Sequence, residues 1–216
     1  MNIEQARFNM IEQQIRPWDV LDTAILQLLA AVKREDFCPL AHKALAFVDM
    51  EIPLGHGASM LSPKVEARFL QDLAVHKHEK VLEIGTGSGY MAALLAHRAQ
   101  RVISLEIVPE LAQTARENLQ KAGISNCEVR TADGSKDLKA DGPFDVIVLS
   151  GSVAHVPTAL VALLKPGGRL AAVVGNVPMM RATFVTQTDG TAITRQPWDT
   201  VAPRLSGFGE DSKFSF

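Results

Sequence analysis

The most constraining feature of the sequence is an apolar segment that leads into three alternating glycines and then into a helix-like pattern. Residues 81–90 read Val-Leu-Glu-Ile-Gly-Thr-Gly-Ser-Gly-Tyr. Glycine permits a tight turn from strand to helix and lets a ligand approach the backbone closely. Several nucleotide-binding α/β folds place such a loop after their first strand. The loop therefore predicts a doubly wound α/β fold with its ligand at the carboxyl end of the sheet.

Strand-like and helix-like patterns alternate from this loop onward. Apolar runs typical of buried strands lie at 81–84, 102–105, 127–131, 144–149 and 169–174, and helical patterns lie at 90–97, 109–121 and 157–164. This alternation predicts a mostly parallel sheet with helices on both faces. Near the end, segments 182–188 and 191–196 flank Asp189-Gly190, a strong β-hairpin signal. We therefore expect the sheet to finish with an antiparallel pair.

The chain before the loop is expected to begin with helices. The apolar residues that recur there at helical spacing are Phe8, Ile11 and Ile15. Pro17 ends this run, and Asp22 is suited to cap a second helix. Segment 37–61 is punctuated by proline and glycine and is interpreted as extended chain and loop. Ser62-Pro63 then resembles a helix start, because proline is favoured in a first helical turn.

Two details of the glycine loop distinguish between nucleotide cofactors. A dinucleotide fingerprint would place its third glycine at position 90, which is occupied by Tyr90. Glu83 lies shortly before the first glycine, and its carboxylate would repel a pyrophosphate. S-adenosylmethionine (SAM) has no phosphate and carries a cationic amine and a sulfonium, so a nearby carboxylate favours its binding. The charge at Glu83 therefore predicts SAM as the cofactor.

Two further acidic residues follow the next two predicted strands. Glu106 ends the second strand, where a carboxylate accepts hydrogen bonds from ribose hydroxyls. Asp133 follows the third strand and is expected to accept a hydrogen bond from the adenine amino group. Either acid alone fits a solvated strand end or a simple turn, but three acids at three successive strand ends favour a SAM site. The predicted cofactor-binding residues are Glu83, Gly85, Thr86, Gly87, Ser88, Gly89, Glu106, Ile107, Asp133 and Gly134.

The composition limits the expected partners and compartment. The 216 residues carry a formal net charge of −2 and show no basic stripe that would bind many phosphates, so nucleic acid is not expected as a partner. No apolar run reaches the length of a membrane span, and the first residues lack a signal-peptide pattern. Cys38 and Cys127 form no disulfide framework and fit the cytoplasm. No metal-ligand cluster is evident, and the sequence leaves the oligomeric state open.

The segment 81–90 resembles the first motif of class I SAM-dependent methyltransferases. More narrowly, the chain is similar to the protein-L-isoaspartate O-methyltransferase family from about Arg7 to Gly175. The residues that carry the narrower resemblance are Val32-Lys33-Arg34-Glu35-Asp36-Phe37, Asp49, Ile52-Pro53-Leu54-Gly55, Ala132-Asp133-Gly134, Val156-Pro157 and Leu160. The stretch 34–57 is the more specific part, because generic methyltransferases lack it.

The resemblance implies a seven-stranded sheet with a reversed strand near its end, in agreement with the hairpin interpreted above. It implies SAM as cofactor and an isoaspartyl-containing protein or peptide as partner, whose α-carboxylate is methylated. The ester recyclises to a succinimide, and part of that succinimide hydrolyses to normal aspartate, which repairs the damaged protein. We expect one domain over 1–216, with N-terminal helices and a substrate loop in 1–61 and a Rossmann-like core in 62–216.

The chain departs from the family in the substrate loop. The family normally continues Gln-Thr-Ile-Ser-Gln-Pro after its glycine pair, whereas here the corresponding residues are Ala58-Ser59-Met60-Leu61-Ser62-Pro63. Ser59 takes the place of the threonine, and Leu61 takes the place of the active-site serine. Leucine cannot hydrogen-bond a carboxylate. We therefore predict Ser59 and Ser62 as the catalytic residues that hold one acceptor oxygen, although a serine before proline is also an ordinary helix N-cap.

The family's C-terminal Phe-Val-Pro-Leu segment is also altered, and the chain reads Pro203-Arg204-Leu205-Ser206-Gly207-Phe208 there. Three hypotheses stay open at this point: an isoaspartyl carboxyl methyltransferase, a SAM-dependent methyltransferase with a different protein or small-molecule acceptor, and a non-catalytic SAM-binding protein. His56 would serve as a base if the acceptor were a hydroxyl or an amine. A solvent-exposed loop histidine is the simpler interpretation of that residue.

Overall fold

The computed structural model describes residues 2–136, 142–188 and 190–209. Its strands are β1 (Ile52–Gly55), β2 (Ala58–Met60), β3 (Lys80–Ile84), β4 (Arg101–Glu106), β5 (Cys127–Thr131), β6 (Phe144–Val153), β7 (Leu164–Asn176), β8 (Met179–Thr188) and β9 (Thr191–Asp199). Its α-helices are α1 (Ile3–Met10), α2 (Thr23–Ala31), α3 (Pro63–Leu73), α4 (Tyr90–Arg98), α5 (Pro109–Lys121) and α6 (Thr158–Val161). Short π- or 3-10-helical segments lie at Ile11–Ile15, Arg16–Trp18, Arg34–Asp36 and Leu40–Leu45.

Within the described residues, seven strands form one sheet in the order β5-β4-β3-β6-β7-β8-β9, and β1 and β2 form a separate hairpin. The five strands from β3 to β7 run parallel to their neighbours. Strand β8 is antiparallel to both β7 and β9. The predicted fold, a doubly wound and mostly parallel seven-stranded sheet with an antiparallel C-terminal end, is confirmed.

The central strands are buried on both faces, as a parallel sheet requires. In β3, Val81 packs into one hydrophobic core together with residues of α1 to α5. Its neighbours Leu82 and Ile84 pack into a second core that includes Leu160 of α6. The sheet thereby leaves the carboxyl ends of β3, β4 and β6 at one edge, which is where ligands bind in open α/β sheets.

The antiparallel end of the sheet is built as predicted. Thr188 pairs with Thr191 across the turn, and its hydroxyl donates to the Thr191 carbonyl oxygen at 2.7 Å. Gly190 has a φ of +84°, a left-handed value that favours glycine. Asp189, the other half of the predicted turn signal, lies outside the described residues.

The N-terminal helices form with one difference from their predicted burial. The Asp22 side chain caps α2 by accepting from the Ala24 amide at 2.8 Å, as expected. Regular helical spacing would place Phe8 on one face with Ile11 and Ile15, but Phe8 is 58% exposed and Met10 is buried instead. The π-helical turn at 11–15 explains the difference, because it changes the angular spacing between the two helical segments.

Two predicted element bounds are wrong after β6 begins. The predicted helix at 157–164 is α-helical only over Thr158–Val161. Leu164 already pairs with Phe144, so the chain enters β7 five residues before the predicted strand at 169–174. From Leu164 onward, the backbone N–H and C=O groups form hydrogen bonds within the sheet instead of within a longer helix.

Candidate active site

An open cleft of about 620 Å³ lies at the carboxyl ends of β3, β4 and β6. Its walls come from the tip of the β1–β2 hairpin, the glycine loop after β3, the segment after β4, Gly134 and the C-terminal segment from Pro203 to Ser206. The cleft brings together two parts of the sequence that were predicted separately, namely the glycine loop and the substrate loop.

The glycine loop needs its glycines because of backbone conformation and close packing. Gly85 and Gly87 have φ values of +89° and +54°. A Cβ atom on Gly85 would lie only 2.6 Å from the Leu205 side chain, and one on Gly87 would lie 3.0 Å from Leu54. Any side chain at Gly85 would therefore fill the cleft floor and collide with the C-terminal segment.

The carboxylate of Glu106 holds the glycine loop against the end of β4. Its Oε2 accepts from the Gly87 amide at 2.8 Å, and its Oε1 accepts from the Val108 amide at 3.1 Å. Glu106 is buried and lines the cleft together with Ile107. An ionised carboxylate has about four acceptor positions, so Glu106 keeps acceptor capacity for a ligand hydroxyl.

Glu83 lies in a smaller inner chamber beneath the glycine loop, with a volume of about 240 Å³. The Ser104 hydroxyl donates to its Oε2 at 2.6 Å, and the Ser150 hydroxyl donates to its Oε1 at 2.7 Å. Burial raises the pKa of Glu83 to about 8, and the nearby Glu66 and Glu106 carboxylates add to the shift, while the two serine hydroxyls oppose it. The fully buried carboxyl group is thus poised to lose its proton when a cation arrives.

The raised pKa of Glu83 predicts a pH-dependent stability of the ligand-free protein. In the unfolded chain this carboxyl ionises near its ordinary value of 4.5, whereas the folded chain keeps the proton up to about pH 8. The folded state therefore binds more protons between these two values, and its stability falls as the pH rises through that window. Relative to Glu83→Gln, the wild-type chain should lose up to about 1.4 kcal/mol per pH unit in urea unfolding. Parallel stability curves for the two proteins would contradict this prediction.

The inner chamber also contains residues that sequence reasoning missed. Glu66 of α3 and Tyr90 of α4 line it, and both are buried. Arg34 donates to the Glu66 carboxylate, and its guanidinium lies 5.2 Å from the centre of the Tyr90 ring. Burial raises the pKa of Glu66, and Arg34 opposes that shift. A buried arginine and a glutamate 32 residues later give no pattern in sequence, so only the fold reveals the pair.

The remaining predicted cofactor residues surround the same loop. Thr86 and Ser88 line the inner chamber, and the Thr86 and Ser104 hydroxyl oxygens are 2.6 Å apart. Gly89 has a φ of +88° and is the N-cap residue of α4, and a Cβ there would lie 3.3 Å from Ala115. It is not among the described residues that line the cleft or the chamber.

Asp133 and Gly134 follow β5 at the far side of the cleft. The Asp133 Oδ1 accepts from the amide and the hydroxyl of Ser135 at 3.0 and 2.6 Å. Lys136 lies 3.2 Å from its Oδ2, and these contacts, led by the Ser135 hydroxyl, lower the pKa of Asp133. Gly134 packs against Ile84, where a Cβ would be 2.5 Å from a methyl group. The Asp133 carboxylate is therefore held ionised in a fixed orientation beside the cleft.

The hairpin tip brings only one of the two predicted catalytic serines to the cleft. Ser59 lines both the cleft and the inner chamber, and His56 lines the cleft with a positive φ of +54°. Ser62 occupies the N-cap position of α3, but its side chain makes no capping hydrogen bond. It is not among the described residues that line either cavity. Leu61 is buried, and its carbonyl oxygen accepts from Arg34 at 2.7 Å.

The comparison with known families agrees with this site. A family model described as Protein-L-isoaspartate(D-aspartate) O-methyltransferase (PCMT) matches residues 5–201. The chain belongs to this family. The matched range includes the β1–β2 hairpin, the glycine loop and Glu106, all of which contribute to the lining of the cleft.

Individual members of the family are similar over most of their length. A protein-L-isoaspartate O-methyltransferase from Aeropyrum pernix is 37% identical over 94% of this chain and 80% of its own length. One from Methanoculleus marisnigri is 39% identical over 78% of this chain and 77% of its own. Among solved structures, a putative family member from Plasmodium falciparum, in complex with S-adenosyl-L-homocysteine, has a TM-score of 0.79. It is 20% identical over 93% of this chain and 98% of its own, so it supports the fold.

The cleft and chamber of this PCMT-family chain carry acidic groups that suit the charge and the hydroxyl groups of SAM. The Glu106 carboxylate faces the cleft as an acceptor for hydroxyl groups, and the Glu83 carboxyl faces the chamber, where a cationic group would favour its ionised form. The buried hydroxyl oxygen of Tyr90 has no hydrogen-bond partner among the described residues and leaves one polar group available in the chamber. Gly85 and Gly87 lie between these two acids, with the Leu205 and Leu54 side chains packed close to them.

The described residues show neither a membrane-spanning helix nor a metal-binding cluster. No helix among them has the length and apolar character of a membrane span. In the same part of the chain, no cluster of three or more histidine, cysteine, aspartate or glutamate side chains is arranged to hold a metal ion.

Proposed function

We propose that this chain is a SAM-dependent carboxyl O-methyltransferase that acts on L-isoaspartyl residues of damaged proteins. Its membership of the PCMT family over residues 5–201 carries the proposal. The cleft supports it, because the family-specific hairpin and the glycine loop form adjacent walls of one site. The proposed outcome is protein repair, in which the methyl ester recyclises to a succinimide that partly hydrolyses to aspartate.

Methyl transfer to a carboxylate requires the protein mainly to align the methyl donor with the acceptor oxygen. When bound, SAM supplies a methyl group on a sulfonium, and transfer of that methyl to a carboxylate oxygen leaves a neutral sulfide. An α-carboxylate is already ionised at neutral pH, so no general base has to remove a proton. The enzyme has to bring donor and acceptor together in line and exclude competing water. This requirement agrees with a cleft whose lining includes the Ser59 hydroxyl and the Glu106 carboxylate.

The cofactor side of the site would be held by the core. Glu106 is placed to accept from ribose hydroxyls while it also anchors the Gly87 amide. Glu83 is placed to become ionised beside the cationic amine, because the charge removes the cost that burial imposes on its carboxylate. Asp133 lies beside the cleft as a fixed acceptor for the adenine amino group. In this proposal, segment 62–216 supplies the cofactor site.

The acceptor side would be formed by segment 1–61 through the β1–β2 hairpin. Ser59 and Ser150 both line the cleft and the chamber, but the Ser150 hydroxyl donates to Glu83, so we assign the Ser59 hydroxyl to one oxygen of the acceptor carboxylate. Leu61 is buried, with its carbonyl bound by Arg34, and offers no hydrogen bond to a carboxylate from its side chain. The position of the family's serine is therefore structural in this chain.

Ser59→Ala and Ser62→Ala form a matched pair that separates the two serines. Removing the Ser59 hydroxyl is expected to lower kcat/KM for an isoaspartyl peptide about tenfold or more, because a hydrogen bond to a charged group is lost. Ser62→Ala should change kcat/KM less than about twofold, since the Ser62 side chain makes no capping bond. Steady-state kinetics at saturating SAM measure both variants. A larger loss in Ser62→Ala would reverse the assignment.

The experiment for the proposed function follows repair rather than methylation alone. An isoaspartyl peptide is incubated with the enzyme and excess SAM, and chromatography follows the appearance of the aspartyl peptide. We expect the aspartyl peptide to accumulate with SAM and to stay at the background level without it. A sample that binds SAM but leaves the isoaspartyl peptide unchanged would contradict the proposal.

A different protein or small-molecule acceptor is the second candidate, and Leu61 at the family's serine position is the observation that favours it. It predicts SAM binding without isoaspartyl turnover in the wild-type chain. Turnover that appears only in Leu61→Ser would show that the loop had drifted away from the isoaspartyl substrate. Isoaspartyl turnover by the wild-type enzyme would reject this candidate.

We also propose a polypeptide partner and a reducing compartment. The net charge of −2 does not favour nucleic acid as a partner. Cys38 and Cys127 are both free thiols, and burial raises the pKa of each, to about 11 and about 12. Free cysteines of this kind agree with the cytoplasm as the site of action.

A further inference from the structure

The C-terminal segment from Ala202 to Gly209, here called the strap, crosses the cleft. The amide of Ser152 at the end of β6 donates to the Pro203 carbonyl oxygen at 2.7 Å, and the Leu205 amide donates to the Ser152 carbonyl oxygen at 2.9 Å. These two bonds form a parallel β-bridge between Ser152 and Arg204. The strap thus pairs with the carboxyl end of β6 and lines the cleft.

The strap touches both motifs that were predicted to bind the cofactor. The Leu205 side chain fills the space beside Gly85 and Gly151, where added Cβ atoms would lie 2.6 and 2.7 Å from it. Gly207 lies against Asp133, and a Cβ there would be 2.7 Å from the carboxylate Oδ1. A ligand that reaches from the glycine loop to Asp133 would therefore be covered by the strap.

A side-chain contact ties the strap to the turn between β7 and β8. The Arg204 Nη2 donates to the Gly175 carbonyl oxygen at 2.8 Å and to the Asn176 Oδ1 at 2.7 Å. Gly175 has a φ of +123°, and a Cβ there would lie 2.4 Å from the Met179 carbonyl oxygen, so the turn has a tightly packed geometry. A planar guanidinium that holds two acceptors in one orientation is well suited to fix one segment against another.

We propose that Arg204 is a positioning residue that latches the strap across the cleft and thereby sets the rates at which SAM enters and S-adenosylhomocysteine leaves. The identity of these two ligands rests on the proposed function. The latch acts through the Arg204 contacts with Gly175 and Asn176, and it controls how often Leu205 and Gly207 lift from the glycine loop and Asp133. Cofactor exchange then depends on opening of the strap.

The test measures exchange in the absence of any acceptor. S-adenosylhomocysteine dissociation and association rates are measured by stopped-flow fluorescence on the full chain. Arg204→Ala is expected to raise the dissociation rate about tenfold and to raise the association rate as well, because the closed strap is populated less. Asn176→Ala should raise the same rates by a smaller factor. The double variant should exchange little faster than Arg204→Ala alone, because each substitution removes the same hydrogen bond between Arg204 and Asn176.

Two further variants separate a latch from a general loss of structure. Arg204→Lys keeps one donor and should restore part of the slow exchange. Arg181→Ala removes another arginine, paired with Asp199 at 2.8 Å on the neighbouring strands, and should leave exchange unchanged. A variant that is merely destabilised would melt earlier and bind more slowly, so faster association in Arg204→Ala is the deciding readout.

Unchanged exchange rates in Arg204→Ala and Asn176→Ala would overturn the latch. A loss of isoaspartyl turnover in Arg204→Ala with normal exchange rates would also overturn it and would assign Arg204 to the acceptor site. Because cofactor exchange is measured without an acceptor, it tests the latch independently of the proposed function. Fast exchange in the variants together with no isoaspartyl turnover by the wild-type enzyme would support the latch and contradict the isoaspartyl residue as the acceptor.

Discussion

Replacing Arg34 with methionine is expected to lower the free energy of unfolding by about 3 to 5 kcal/mol. The Arg34 side chain is fully buried, donates to the Glu66 carboxylate and also donates to the Leu61 carbonyl oxygen at 2.7 Å. Methionine fills much of the same volume but leaves the buried Glu66 carboxyl group and the Leu61 carbonyl oxygen without their donor. Urea unfolding at neutral pH measures the loss.

A compensating variant gives this prediction its sharpest control. Arg34→Met combined with Glu66→Leu should recover most of the lost stability, because a hydrophobic pair often replaces a buried ion pair at little cost. Arg16→Ala removes an exposed arginine, 2.7 Å from Glu12, and should change stability by less than about 0.5 kcal/mol. If Arg34→Met unfolds at the same urea concentration as the wild-type chain, the buried pair does not stabilise the fold as described.

Replacing Glu106 with alanine is expected to raise the Kd for SAM about 100-fold, which corresponds to roughly 2.7 kcal/mol. The change removes the acceptor for ribose hydroxyls and also frees the Gly87 and Val108 amides that the carboxylate holds at 2.8 and 3.1 Å. The glycine loop would lose its anchor at the same time as the ligand loses a partner. Titration calorimetry with SAM measures the change.

Two companion variants separate ligand contact from loop anchoring. Glu106→Gln keeps one acceptor oxygen and should show an intermediate Kd. Glu110→Ala removes an exposed acid in the first turn of α5 and should leave the Kd unchanged. A Kd within about threefold of wild type in Glu106→Ala would mean that this carboxylate contributes little to SAM binding.

The glycine loop and the sheet are predictable from sequence because they rest on local patterns. A strand that ends in alternating glycines has few conformations open to it, and Gly85 and Gly87 adopt the positive φ values that the pattern implies. Glu106 lies at a strand end, and parallel strands bring such ends to one edge of the sheet. The hairpin at 52–60 is not predicted, because the composition of this segment indicates only extended chain and loop.

The inner chamber and the strap are not predictable from sequence because they depend on contacts between distant segments. Arg34 and Glu66 are 32 residues apart, and Ser150 donates to Glu83 across 67 residues. Leu205 reaches Gly85 only after the whole sheet is assembled. At Ser62 a local pattern predicts the position but not the contact. Its place before a proline predicts an N-cap, and Ser62 occupies that position without making the capping hydrogen bond.

The most direct test of the account is transfer of labelled methyl from SAM to three matched peptides. One contains an L-isoaspartyl residue, the second contains a normal aspartyl residue, and the third contains the isoaspartyl linkage with its α-carboxylate converted to an amide. We predict label on the first peptide alone, because only it presents the free α-carboxylate in the isoaspartyl geometry. Label on the amide or equally on the aspartyl peptide, or no label on any peptide while SAM is bound in the same sample, would contradict the proposed activity.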